Sequence, residues 1–372
     1  MRSPYRMRSC ALLAPCVLSW AACTTGAEEV VALVSEGAVH SVSLNGTVAL
    51  VARSDRFSGM VAQRHAVSRD GVLVDLNSSP GQQGLQSARL WPGSTIADTD
   101  FRVRVDDRWR GLYPAGLSLS PDGSRLCVRS MDFDRSSPHF NEVRLVVIDM
   151  ASGDIGELTH GLDARGHCPM QMRWSPDSKR VAFYCAPDSV AQDPAHMSYE
   201  VHAVSLDGRC ENLAERCERP VHLGAVTGAG PLWSADSRDV FFVGNYGEDG
   251  AGLERGSPLT YVVSVDGGGG APRVICRGSP SSLTPDGRYL FASVRAEASA
   301  HLRVDLQTGE KTELGEEWMH ALVSWSGKYV ACFPPGGRLI VFSLNGQVVL
   351  RVDSSKLPAP PAMTRAYWIE IP

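Results

Sequence analysis

Apolar and polar positions alternate along most of the chain in short runs, and each run stops at a small cluster of turn-forming residues. This is the period of a half-buried strand, in which successive side chains face opposite sides of a sheet. Residues 172–185, MRWSPDSKRVAFYC, show the unit. An apolar run ends in Trp174, Ser175-Pro176-Asp177-Ser178 reverses the chain, and Val181-Ala182-Phe183-Tyr184 begins the return strand. Proline presets φ at the first central position, Asp can hydrogen-bond its own backbone, and the fourth position wants a residue that tolerates positive φ. No window sustains a 3.6-residue apolar period, and 36 Gly and 23 Pro interrupt the chain throughout, which excludes a helical fold.

The unit recurs in Ala66–Gly71 with the VLVDL that follows, and in LSLSPDGSRLCVRS (117–130). It returns in LWSADSRDVFFVG (232–244), SLTPDGRYLFASV (282–294) and VSWSGKYVACF (323–333). The turn glycine or its equivalent falls at 71, 123, 178, 237, 287 and 327. A second strand pair follows most copies, turning at Ser152-Gly153, Asp207-Gly208, Asp266-Gly267, Thr308-Gly309 or Asn345-Gly346. Such dipeptides between alternating strands are a strong hairpin signal. Four short strands in each 40–59-residue repeat predict an all-β fold, a β-propeller of four-stranded blades. At the ends, the hairpin Val39–Leu44, Asn45-Gly46, Thr47–Val51 lacks a first half, and Ala366–Ile371 reads as a lone strand. Pairing that C-terminal strand (about 365–371) with the N-terminal hairpin would hide two sheet edges and close the ring. The expectation is seven blades, one split between the termini, with six as the alternative; the outer strands near Leu85–Ile96 are the least regular part.

These repeats resemble the TolB-type, WD-like propeller blade of bacterial envelope proteins, an apolar residue or Trp followed by Ser-Pro-Asp-Gly and a strand. The resemblance spans roughly residues 30–355 and implies a fold and an envelope location more than an activity, since propellers host binding modules and enzymes alike.

Composition adds a compartment. Arg2, Arg6 and Arg8 precede an apolar stretch, Cys10–Trp20, too short to span a bilayer, and small residues follow. Residues 1–23 therefore read as an export signal ahead of one propeller domain, 24–372. Ala21-Ala22-Cys23 resembles the end of a lipobox, although Trp20 stands where Leu is usual. Lipidation of Cys23, simple cleavage nearby and a retained anchor all stay open, for a periplasmic or outer-membrane-anchored product. The formal charge is −5, with no block of like charge, which argues against nucleic acid or an anionic membrane surface as partner. Of the ten cysteines, Cys210 and Cys217 are the first candidates for a disulfide and Cys168 with Cys185 the second; Cys127, Cys185 and Cys332 read as small buried apolar residues on strands.

Candidate chemistry is sparse. The Ser-Pro-Asp-Gly turns are minimal, whereas the opposite face carries long connections at 132–141, 160–170, 186–198, 214–230 and 245–257, where binding usually resides. Candidate binding residues there are Asp132, Asp134, His139, Tyr246, Glu248 and Asp249. His167, His222 and His320 lie on or beside connections between blades; propeller lyases acting on pectic fragments hold a metal with channel-mouth histidines, so these three form the metal alternative, although no HxH or HxxxH spacing supports it. Trp174, Trp233 and Trp325 read as packing residues. No GxSxG, HExxH, Walker A or dinucleotide motif occurs, and no cofactor is expected. The reading that follows is a non-catalytic exported propeller that binds a protein or peptide partner on its long-loop face. The alternative is a polysaccharide lyase or hydrolase with its site at the channel mouth.

Overall fold

The structure is a computed structural model that describes residues 28–371 apart from 36–37, 54–64, 68, 70–71, 78–83, 90–111, 133–141, 160–167, 187–199, 217–229, 246–257, 266–270, 295–299, 316–317, 319–320, 335–336 and 358–364. Its described strands form seven antiparallel sheets. The first joins β1 (Glu28–Ser35), β2 (Ala38–Ser43) and β3 (Val48–Arg53) to the C-terminal β27 (Arg365–Ile371). The second holds β4 (His65–Val67), β5 (Val72–Asn77) and β6 (Gly84–Arg89). The third runs β7 (Leu112–Leu119), β8 (Arg125–Asp132), β9 (Glu142–Asp149), β10 (Ile155–Glu157). The fourth runs β11 (Cys168–Trp174), β12 (Arg180–Ala186), β13 (Glu200–Ser205), β14 (Cys210–Asn212). The fifth consists of β15 (Leu232–Trp233), β16 (Asp239–Asn245), β17 (Pro258–Ser264) and β18 (Arg273–Arg277). In the sixth are β19 (Ser279–Leu283), β20 (Tyr289–Val294), β21 (Ala300–Asp305) and β22 (Lys311–Leu314). The last contains β23 (Leu322–Val323), β24 (Tyr329–Cys332), β25 (Leu339–Ser343) and β26 (Val348–Val352).

Six sheets are four-stranded blades, the alternative count, and this corrects the expectation of seven four-stranded blades. The second sheet shows three strands among the described residues, in the region where the repeat is least regular. The innermost strands stand side by side around the ring: β4 beside β7, β7 beside β11, then β15, β19, β23 and β27 in turn. Between neighbouring sheets lie apolar layers, one built from Cys127, Leu145, Val147, Trp174, Val181, Phe183 and Val204. Among the described residues the apolar clusters lie between neighbouring sheets rather than in one central core.

Ring closure goes beyond the expected hairpin. The run EEVVALVS forms β1, a strand bounded by no turn motif, and it pairs with β27 from Glu28↔Ile371 to Val34↔Arg365. The seams on both sides are stapled. Trp368 donates Nε1–H to the Leu322 carbonyl (2.7 Å), and Trp325 donates to the Trp368 carbonyl (2.7 Å). Glu29 accepts from the Ser326 amide at 2.7 Å. On the other side the Glu370 amide donates to the Arg69 carbonyl (2.9 Å), while the Arg69 guanidinium pairs with the Glu370 carboxylate (2.6 Å).

Candidate functional site

The two faces of the ring differ in what they leave available. On the short-turn face each Ser/Thr-x-Asp/Ser turn folds the same way. Ser175 accepts from the amide of Ser178 (2.9 Å) and donates its own to Arg180 (2.8 Å), while its hydroxyl bonds Asp177 (2.6 Å). The fourth position is left-handed in every described copy: Gly123, Ser178, Ser237, Gly287 and Gly327 have φ between 59° and 71°. Serine in that conformation is strained, and the neighbouring turn supplies the reason. Ser237 Oγ accepts the Asp177 amide of the preceding blade (3.1 Å), and Ser178 Oγ accepts the Asp122 amide (3.4 Å). Trp233 and Trp174 tie the same blades together, donating to the carbonyls of Arg173 (3.0 Å) and Ser118 (2.7 Å). The turn acids are held ionised: the Thr284 hydroxyl keeps the Asp286 carboxyl below its usual range, and Ser234 does the same for Asp236. This face is a girdle of mutually satisfied groups.

The opposite face is built differently. The innermost strands start there, and three of them are bulged near that end. The bulges lie between Pro114 and Gly116 in β7, Met170 and Arg173 in β11, and Pro280 and Ser282 in β19. Within the β11 bulge Gln171 is left-handed (φ 52°), and Gly230, just before β15, approaches so closely that a Cβ on it would sit 2.1 Å from the Gln171 carbonyl oxygen. Bulges re-aim side chains and recur beside active sites. They leave Gln171, Ser279 and Ser281 half-buried at the starts of β11 and β19, with the Ser281 hydroxyl donating to the Phe291 carbonyl (3.0 Å). Further along β11, Arg173 is exposed on the innermost strand and gives the channel wall a cation.

Of the candidates read from the sequence, Asp132 ends β8 opposite Leu112 and Glu142, a strand position rather than the loop expected. Asp134, His139, Tyr246, Glu248, Asp249, His167, His222, His320, Cys23 and Cys217 lie outside the described residues. Cys210 carries a free thiol. Cys127, Cys185 and Cys332 are buried in strands, and burial pushes the Cys127 thiol up to about 12. Among the described residues no group of three His, Cys, Asp or Glu is placed to hold a metal, and no helix is long and apolar enough to cross a membrane. Sequence reasoning missed the bulges at Gln171 and Ser281; the recurring prolines Pro114, Pro169, Pro231 and Pro280 at the strand starts were the available signal.

No family model matches the chain, and no curated protein matches it. Solved structures do. The tricorn protease aligns with a TM-score of 0.57 at 13% identity over 91% of this chain and 34% of that one. Puromycin hydrolase aligns at 0.55 and 15% identity, over 90% of this chain and 53% of that one. An oligogalacturonate lyase in complex with manganese aligns at 0.53 and 15% identity, over 79% of this chain and 77% of that one. At these identities the likeness shows the fold, a β-propeller. This chain spans about a third of the tricorn protease chain it matches. The expectation of a non-catalytic binding module is corrected here: the three solved structures that share this ring are a protease, a hydrolase and a lyase.

Proposed function

We propose that the chain is a polysaccharide lyase or hydrolase acting on an acidic oligosaccharide at the channel mouth of the long-loop face. The observation that carries the reading is the asymmetry of the ring. The short-turn face is closed on itself by inter-blade hydrogen bonds, whereas the other face opens on three bulged inner strands. Support comes from the oligogalacturonate lyase match, which covers most of both chains, so the ring by itself accounts for that alignment. Arg173 on the channel wall suits a carboxylate-bearing sugar, because a guanidinium recognises carboxylates in a bidentate way. The residues that would hold a divalent metal are His167, His222 and His320, on or next to the connections that enter β11, β15 and β23. When bound, such a metal would act as a Lewis acid toward the sugar carboxylate. TolB-type ancestry and export through residues 1–23 belong to the same proposal.

The test is to incubate the purified protein with oligogalacturonate, with and without manganese. Absorbance from a new double bond reports elimination, and reducing ends without it report hydrolysis. Cleavage that falls about 100-fold in Gln171→Ala or His167→Ala supports the site, since positioned groups contribute on that scale. No cleavage of any uronate-containing oligosaccharide, under either metal condition, overturns the reading.

A further inference from the structure

The hairpin β13–β14, on the outer side of the fourth sheet, carries a cluster of polar groups set against the apolar layer. His202 lies flat on Phe183 (centroids 5.4 Å, 11° between planes) and is almost fully buried. Its Nε2 is 2.8 Å from Glu200 Oε2, and its Nδ1 is 3.6 Å from Cys210 Sγ. A carboxylate only accepts, so Nε2 bears the ring proton and Nδ1 presents its lone pair to the thiol. The result is a thiol, an imidazole and a carboxylate in series, the order in which a nucleophile, its base and the group that orients the base are arranged.

The repeat itself supplies a control. Residues 38–48, AVHSVSLNGTV, and 200–210, EVHAVSLDGRC, form the same hairpin in the first and fourth sheets. The register is shared: Val42 faces Val48, and Val204 faces Cys210. The histidine recurs as His40, half-buried in its own sheet, so an imidazole at this position is a feature of the hairpin. What differs is its company. The first sheet has Ala38 and Val48 where the fourth has Glu200 and Cys210. Alanine and valine suffice to pack this hairpin, so the two polar groups are an addition that flanks one imidazole on both of its nitrogens.

We propose that Cys210 is a base-assisted thiol nucleophile, a modification site for hydroperoxides on the outer strands of the fourth blade, with His202 as base and Glu200 as positioning residue. Sulfur attacks one peroxide oxygen as the thiol proton passes to His202 Nδ1. The S–O bond forms while the O–O bond breaks, and the departing oxygen, hydroxide from hydrogen peroxide or alkoxide from an organic hydroperoxide, collects the proton from His202 to leave as water or an alcohol. The thiol is oxidised to a sulfenic acid and the hydroperoxide is reduced. Burial first and the Glu200 charge second push the Cys210 thiol up to about 11, so the resting group is a thiol, and reaction requires a base at hand. Among the described residues, the titratable groups on the packed face of His202 are Glu200 on its own strand, Cys185 of β12, in register with Glu200, and Cys210 of β14; from the third sheet come Cys127 and the apolar Leu145, Val147 and Leu158.

The experiment exposes the full chain to hydrogen peroxide with dimedone present and measures sulfenic acid at each cysteine by peptide mass mapping. Cys210 is expected to label faster than Cys127, Cys185, Cys276 and Cys332, and Cys210→Val to lose that signal alone. Its rate should rise with pH well below the thiol's own range, and that rise should be absent in His202→Asn. It should fall about 100-fold in His202→Asn, the lower end of what a positioned base supplies, and less in Glu200→Ala. Cys210→Val and Glu200→Ala install residues the first sheet already carries, so both variants are expected to fold even if His202→Asn does not. Labelling of Cys210 no faster than that of the buried thiols overturns the proposal. So does a rate indifferent to Glu200→Ala, or one that rises only near the thiol range.

Discussion

At the scale of single residues, the turns show how one hydroxyl can replace a glycine. Ser237 takes a left-handed φ of 62°, which costs about 1 kcal/mol, and recovers it through the hydrogen bond from the Asp177 amide. Ser237→Ala keeps the strain and loses the acceptor, so chemical denaturation should show a loss of about 1–2 kcal/mol. Ser237→Gly removes both and should be close to neutral. A neutral Ser237→Ala beside a stabilising Ser237→Gly would mean the inter-blade bond contributes nothing. The turn acids set a pH dependence. Asp286 and Asp236 have depressed folded-state values, so the unfolded chain binds more protons, and their contribution is present above about pH 4 and lost as pH falls below it. Asp286→Asn should therefore flatten the fall in melting temperature below about pH 4 and change its slope little at neutral pH. None of the inter-blade bonds was legible in the sequence, because each turn is complete within itself and the partner lies 60 residues away for Ser237.

Among elements, the contrast lies between strands announced by their turns and strands set by the ring. The hairpins at Asp207-Gly208 and Asn345-Gly346 were readable because both dipeptides accept positive φ, and Gly208 and Gly346 have φ of 85° and 87°. β1 was not readable, since EEVVALVS has no bounding turn and acquires its place only when β27 pairs with it. The bulges of β7, β11 and β19 escaped for a related reason: a bulge depends on the partner strand, which local alternation does not show. Two substitutions probe these elements. Trp368 is buried, stacks on Tyr329 and donates its indole N–H to the Leu322 carbonyl, so Trp368→Ala should cost about 3–5 kcal/mol by denaturation. A cost near that of an exposed residue would mean the ring holds without its C-terminal strand. Gly230→Ala drives a methyl onto the Gln171 carbonyl and should cost about 1–3 kcal/mol while displacing the channel-mouth residues, read as lost stability together with lost oligosaccharide cleavage.

Taken whole, the molecule is a ring whose two faces are built differently. Repetition made the ring legible from the chain alone. The count of four-stranded blades was not, because the second sheet shows three strands among the described residues, where the repeat is least regular. Function was harder to read, for a physical reason: residues of the channel mouth come from strands β7, β11 and β19, far apart in sequence, and no local motif records that they meet. The asymmetry itself can be measured most directly by hydrogen exchange with mass spectrometry while oligogalacturonate is titrated in. The account predicts ligand-dependent protection at the strand starts Pro114–Gly116, Pro169–Gln171 and Ser279–Ser281, with the turns at 120–124, 175–179 and 234–238 unchanged. Protection confined to those turns, with the strand starts silent, would contradict it.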